Sequence, residues 1–201
     1  MELIGYIYKQ QLPIITEFNY IPGHYNADNY SALEKLDIHF DDSNIVEKRN
    51  DLIPIVCASV VLTRNNEILT LKHETKPTSN SPDQQDITSL YIGHKLSLED
   101  LQESNMYSFI SSMRRAMGDN TGYNVEDKLI HSPIIAYVND TKKLTKCAGI
   151  FFPIIVDQRF DITCENMSCE WQSIDEAKYM TLDQWSDIII DAITYDHSLE
   201  I

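Results

Sequence analysis

Most of the 31 acidic side chains in this 201-residue sequence are expected to be solvated surface charges, so it is the spacing of the remaining candidate ligands that narrows the chemistry. Of the four cysteines, Cys57 sits in an apolar run and reads as a small core residue. Cys164 and Cys169 are close together, but without a second close pair they make a weak zinc pattern. The tight basic clusters, Arg114-Arg115 and Lys142-Lys143-Lys146, are too small for a face that grips duplex nucleic acid. A net charge of −15 opposes such a partner further. A small anion is less affected, because one metal ion or a few backbone N–H groups can hold it locally.

The elements that would position a site are clearer. Ile53 to Leu62 is an apolar, β-branched run expected of a strand buried on both faces. Arg64-Asn65-Asn66-Glu67 predicts a turn and Ile68 to Lys72 a returning strand. His73 to Asp86 reads as a long polar loop, and Ser89 to Ile92 as a short strand ending at Gly93. Met106, Phe109, Ile110, Met113 and Met117 form one helical stripe, closed by Gly122. Strands over Ile134–Val138 and Ala148–Val156 flank a turn at Asn139-Asp140-Thr141, and a last helix runs from about Leu182 to Ile193.

Residues 1–50 do not share this pattern and are read as an extension to a domain over 51–201. The extension offers a strand at Leu3–Tyr8, a turn at Ile21-Pro22-Gly23 and a short helix capped by Ser31 with Glu34. Its tyrosines, Tyr6, Tyr8, Tyr20, Tyr25 and Tyr30, suit packing on the main domain, and the segment is also a candidate homodimer arm. No apolar run approaches the roughly 20 residues of a membrane span, and Met1 to Gln11 lacks a signal peptide's basic start. A cytoplasmic protein without membrane association is expected.

The order strand, strand, loop, strand, glycine, helix, strand, strand, helix resembles the Nudix fold, an α/β architecture with a mixed sheet between helices. The segment from Gly93 to Glu99 resembles the first half of the Nudix box, and Arg115-Ala116-Met117-Gly118-Asp119-Asn120-Thr121-Gly122-Tyr123 resembles the second. Fifteen residues separate Glu99 from Arg115, where the family has seven. Tyr91-Ile92-Gly93-His94, Val138-Asn139-Asp140 and Trp171-Gln172-Ser173-Ile174-Asp175-Glu176 are similar to segments of a divergent MutT-type phosphoesterase branch.

The resemblance implies a structural brace between Glu99 and Arg115, and a Mg²⁺ or Mn²⁺ cofactor held by box carboxylates. The corresponding positions here are Ala116, Asp119 and Asn120, so Asp119 is the remnant catalytic and metal-binding acid. Gly93, His94 and Asn120 are the expected ligand contacts, and Asp140, Asp161, Glu165 and Glu170 are the later acids able to compensate. His73 and Glu74 could line the cleft. Three functions follow: a module binding a nucleotide or other phosphorylated small molecule with weak or no hydrolysis, a divergent Mg²⁺-dependent hydrolase of a nucleoside-diphosphate-linked substrate, or a protein-interaction module with a vestigial pocket. Whether the chain is an enzyme is left open by the sequence.

Overall fold

A computed structural model describes residues 2–16, 29–73, 87–140, 145–162 and 167–195. The architecture is built around one strand, β3 (Leu52–Thr63), all twelve residues of which are buried. Alternate side chains explain why. Ile53, Ile55, Cys57 and Val61 enter one core, while Ala58, Val60 and Leu62 enter the other. A strand covered on both faces has no reason to alternate with polar residues.

One edge of β3 pairs in parallel with β8 (Thr145–Val156), Ile55 through Thr63 matching Ala148 through Val156. Beyond it, β7 (Ile134–Asp140) is antiparallel to β8. The other edge of β3 is shared end to end by three antiparallel strands. These are β1 (Leu3–Tyr8) at Leu52–Pro54, β6 (Ile92–Lys95) at Val56–Ser59, and β4 (Glu67–His73) at Leu62–Thr63. β2 (His39–Asp42) extends the sheet past β1, whereas β5 (Thr88–Ser89) and β9 (Met167–Ser173) both pair with β4.

Helices cover both faces. α4 (Asn105–Thr121) lays Met106, Phe109, Met113 and Met117 on one side of the sheet. On the other, α6 (Gln184–Tyr195) packs Ile189, Ile190 and Ile193 against Phe151 and Ile155 of β8. Shorter helices complete the order: α1 (Leu12–Thr16), α2 (Asn29–Glu34), α3 (Ser43–Lys48) and α5 (Ile174–Ala177). No helix among the described residues is long and apolar enough to cross a membrane.

Several elements depart from the sequence reading. The strand expected over Ser89–Ile92 is two, because β5 bonds to β4 while β6 turns to β3, leaving Gly93 inside β6. β7 continues through Asp140, so Asn139 and Asp140 of the expected turn are strand residues, while Thr141 lies outside the described residues. The last helix begins after Asp183, whose Oδ1 accepts the N–H groups of Trp185 (3.0 Å) and Ser186 (2.9 Å) as an N-cap. Ser31 is within α2 rather than at its cap. Glu34 works elsewhere: its carboxylate accepts the N–H groups of Asn105 and Met106, each at 3.1 Å, at the start of α4.

Residues of the expected 1–50 extension thus supply strands to the shared sheet and a cap to α4. Tyr6 is buried, and the Tyr6, Tyr8 and His39 rings pack together, with Tyr8 and His39 at 5.1 Å between centroids. The Ile21-Pro22-Gly23 turn, Tyr20, Tyr25, the loop over 74–86, Cys164 and Glu165 lie outside the described residues.

Candidate functional site

β6 enters the site because Gly93 can approach β3 closely. A Cβ at that position would lie 2.5 Å from the Ala58 Cβ and 2.8 Å from the Cys57 carbonyl oxygen. No side chain fits without displacing the strand. The chain then turns through a short 3₁₀ segment, Leu98–Asp100, in which the Asp100 carboxylate accepts the Ser97 N–H at 2.9 Å.

That turn corrects the expected brace. Arg115 pairs with Asp100, not Glu99: Nε donates to Oδ1 at 2.8 Å and Nη2 to Oδ2 at 2.9 Å. Glu99 is exposed, while Asp100 is 1% exposed. The Ser97–Asp100 bond rotates Asp100 inward and leaves its neighbour facing solvent. Arg115 Nη2 also reaches the Lys95 carbonyl at 3.3 Å, tying α4 to β6. Burial by itself would raise the Asp100 pKa, but the Arg115 guanidinium and the Ser97 N–H outweigh it and hold the carboxyl below its ordinary range. The hydrogen bond to Asp100 raises Arg115 in turn.

The three box positions differ from one another. Ala116 is fully buried and has no side-chain oxygen. Asp119 is 61% exposed, and its Oδ2 is 3.9 Å from Arg115 Nη1. Asn120 Nδ2 lies 2.7 Å from the Ala116 carbonyl and 3.1 Å from His94 Nε2. Two of the expected ligand contacts, His94 and Asn120, are therefore brought into contact with each other. α4 ends as the sequence indicates: Gly122 adopts φ 69° and donates its N–H to the Gly118 carbonyl at 2.9 Å.

Of the four compensating acids, Glu165 and the Asp140 side chain lie outside what is described. Glu170 faces Lys72 at 3.7 Å, and Asp161 is exposed. Among the described residues no three His, Cys, Asp or Glu side chains are grouped to hold a metal. Burial first of all pushes the Cys147 thiol up to about 11, so it is protonated at neutral pH.

A cleft of about 440 Å³ opens beside β6, lined by Gly93, His94, Lys95 and Arg115 and by Tyr91 and Trp185. Tyr91, Trp185 and the buried Phe151 form an edge-to-face cluster, with centroids 5.3 to 5.5 Å apart. Asp100, Lys95, Tyr91 and Trp185 were not named as site residues from sequence. For Asp100 a signal existed, the Ser97-x-x-Asp100 capping pattern.

No protein-family model matches the sequence. No curated protein matches it either. Solved structures do. Tm1382, provisionally described as a Nudix hydrolase, superposes with a TM-score of 0.70 at 14% identity, covering 96% of this chain and 98% of that one. The fold is Nudix. A MutT Nudix hydrolase from Burkholderia pseudomallei matches with a TM-score of 0.53 at 12% identity, over 70% of this chain and 97% of that one. The Nudix domain of Shewanella oneidensis NrtR, solved with ADP-ribose, gives 0.52 at 12% identity, over 77% and 92%.

The metal that the Nudix fold implies does not fit these residues. Mg²⁺ wants several hard oxygens in octahedral array. Ala116 offers none, Asn120 turns its NH₂ group to the Ala116 carbonyl and His94, and Asp119 lies beside a guanidinium.

Proposed function

We propose that this Nudix-fold protein binds a nucleotide or another phosphorylated small molecule in the cleft beside β6, with weak or no hydrolysis. The observation carrying this reading is the division within the box. Its scaffold is intact through Gly93, Arg115, Asp100 and Gly122, whereas the face that would hold a metal retains Asp119 as its one carboxylate. Hydrolysis of a diphosphate draws on metal ions to neutralise phosphate oxygens and activate water. Binding needs less: a shaped cleft, donors and an apolar wall. The ADP-ribose held by the NrtR Nudix domain makes a nucleotide-linked ligand the natural first candidate.

The test is a calorimetric titration of the full chain with ADP-ribose and AMP, with the same mixtures analysed for released product. Saturable binding without product is expected. Turnover with Mg²⁺ or Mn²⁺ that is lost in Asp119→Ala would replace this reading with that of a divergent hydrolase. Absence of binding would sink it.

A further inference from the structure

The cleft is furnished with hydrogen-bond donors, and three observations define them. The first is the His94–Asn120 pair. The Ala116 carbonyl can only accept, so the group 2.7 Å from it is the Asn120 NH₂ and not the amide oxygen. The other hydrogen of that NH₂ then serves His94 Nε2 at 3.1 Å, which makes Nε2 the acceptor. In the neutral ring the proton is on Nδ1, so His94, which lines the cleft, has a donor left.

The second is the outer edge of β6. Leu96 donates its N–H to the Ile55 carbonyl at 2.9 Å. Bonding direction alternates along an antiparallel ladder, so the N–H groups of Gly93 and Lys95 point away from β3. The Arg115 contact to the Lys95 carbonyl is on that same outer side. No described strand other than β3 pairs with β6. The third is Arg115 itself. Nε and Nη2 are committed to Asp100, but Nη1 has Asp119 Oδ2 at 3.9 Å, beyond hydrogen-bonding distance.

Against these donors, Glu2 is the one carboxylate among the described residues lining the cleft. The same cleft is lined by aromatic rings, Tyr91 and Trp185, at 5.5 Å between centroids. Trp185 Nε1 is buried without a hydrogen-bond partner among the described residues. Convergent donors suit an oxyanion, and a π-wall suits a flat ring.

We propose that the cleft binds a nucleoside diphosphate without a divalent metal: phosphate oxygens on His94 Nδ1–H, the Gly93 and Lys95 N–H groups and Arg115 Nη1, and the base against Trp185 and Tyr91. This rests on the ligand-binding reading above and replaces the missing metal ligands with protein donors. Asn120 is then a positioning residue. Its amide fixes the His94 tautomer, which a carboxylate at that position could not do by donation.

ADP is titrated into the full chain in EDTA and again in excess Mg²⁺, followed by Trp185 fluorescence, with Trp185→Phe assigning the signal. Equal affinity in the two conditions is expected, and adenosine should bind at least tenfold more weakly. His94→Ala should weaken ADP by roughly tenfold to a hundredfold, the worth of a hydrogen bond to a charged group, with the melting temperature checked alongside. Asn120→Asp should weaken binding in EDTA and make it Mg²⁺-dependent. Binding by the native protein that needs Mg²⁺ would overturn the metal-free mode and leave the broader reading standing. Adenosine binding as tightly as ADP, or an unaffected folded His94→Ala, would overturn the donor assignment. No ADP binding in either condition overturns this inference, while the broader reading stands or falls on the ADP-ribose and AMP titration.

Discussion

At the residue scale the site turns on Asp100 and Arg115, a buried carboxylate held by two guanidinium bonds of 2.8 and 2.9 Å. Removing the cation leaves an uncompensated charge in the interior, which costs about 3 kcal/mol for a pair of this kind. Arg115→Ala should therefore lower the urea midpoint markedly at pH 7. The pH dependence has a definite sign. The folded-state pKa of Asp100 is depressed, so the pair's contribution is present above the ordinary carboxylate value of about 4 and lost as pH falls through the folded value. In Arg115→Ala, burial is opposed by the hydrogen bond from the Ser97 N–H without the guanidinium, and Asp100 takes up a proton more readily. The gap between native and variant stabilities should narrow from pH 7 to pH 4, measured by denaturant unfolding at both. A gap independent of pH would mean that Asp100 is not the partner.

Element by element, what could be read in advance followed how local each cause is. β3 was legible because burial on both faces writes an unbroken apolar run into the sequence. The stripe and the glycine stop of α4 were legible because both are set within a few turns of one helix. Arg115 was legible, but its partner was displaced by one residue, since the Ser97–Asp100 turn decides which acid faces inward. Tyr91 and Trp185 come together from 94 residues apart, and nothing local marks that. Glu34 is a similar case, reaching α4 from 71 residues before Asn105. Its carboxylate sits at the positive end of the helix, where capping is typically worth about 1 kcal/mol. Glu34→Ala should lower stability by about that amount and speed hydrogen exchange at the Asn105 and Met106 amides. Unchanged exchange there would show that Glu34 does not cap α4 in solution.

On the scale of the whole molecule, the sheet joins the two halves of the site. α4 presents the box from one face, α6 contributes Trp185 from the other, and β6 carries donors between them. A net charge of −15 surrounds this cleft, so the proposed anion would be held by local donors against the general field rather than drawn in by it. The fold is therefore compatible with nucleotide binding, and the proposed reading holds that Ala116, Asp119 and Asn120 supply too few carboxylates for a metal centre. Titration of the full chain with Mn²⁺, following the free ion by electron paramagnetic resonance, tests that claim most directly. No saturable site is expected below millimolar concentration, with the same result for Asp119→Ala. A stoichiometric site at micromolar Mn²⁺ that disappears in Asp119→Ala would contradict that claim.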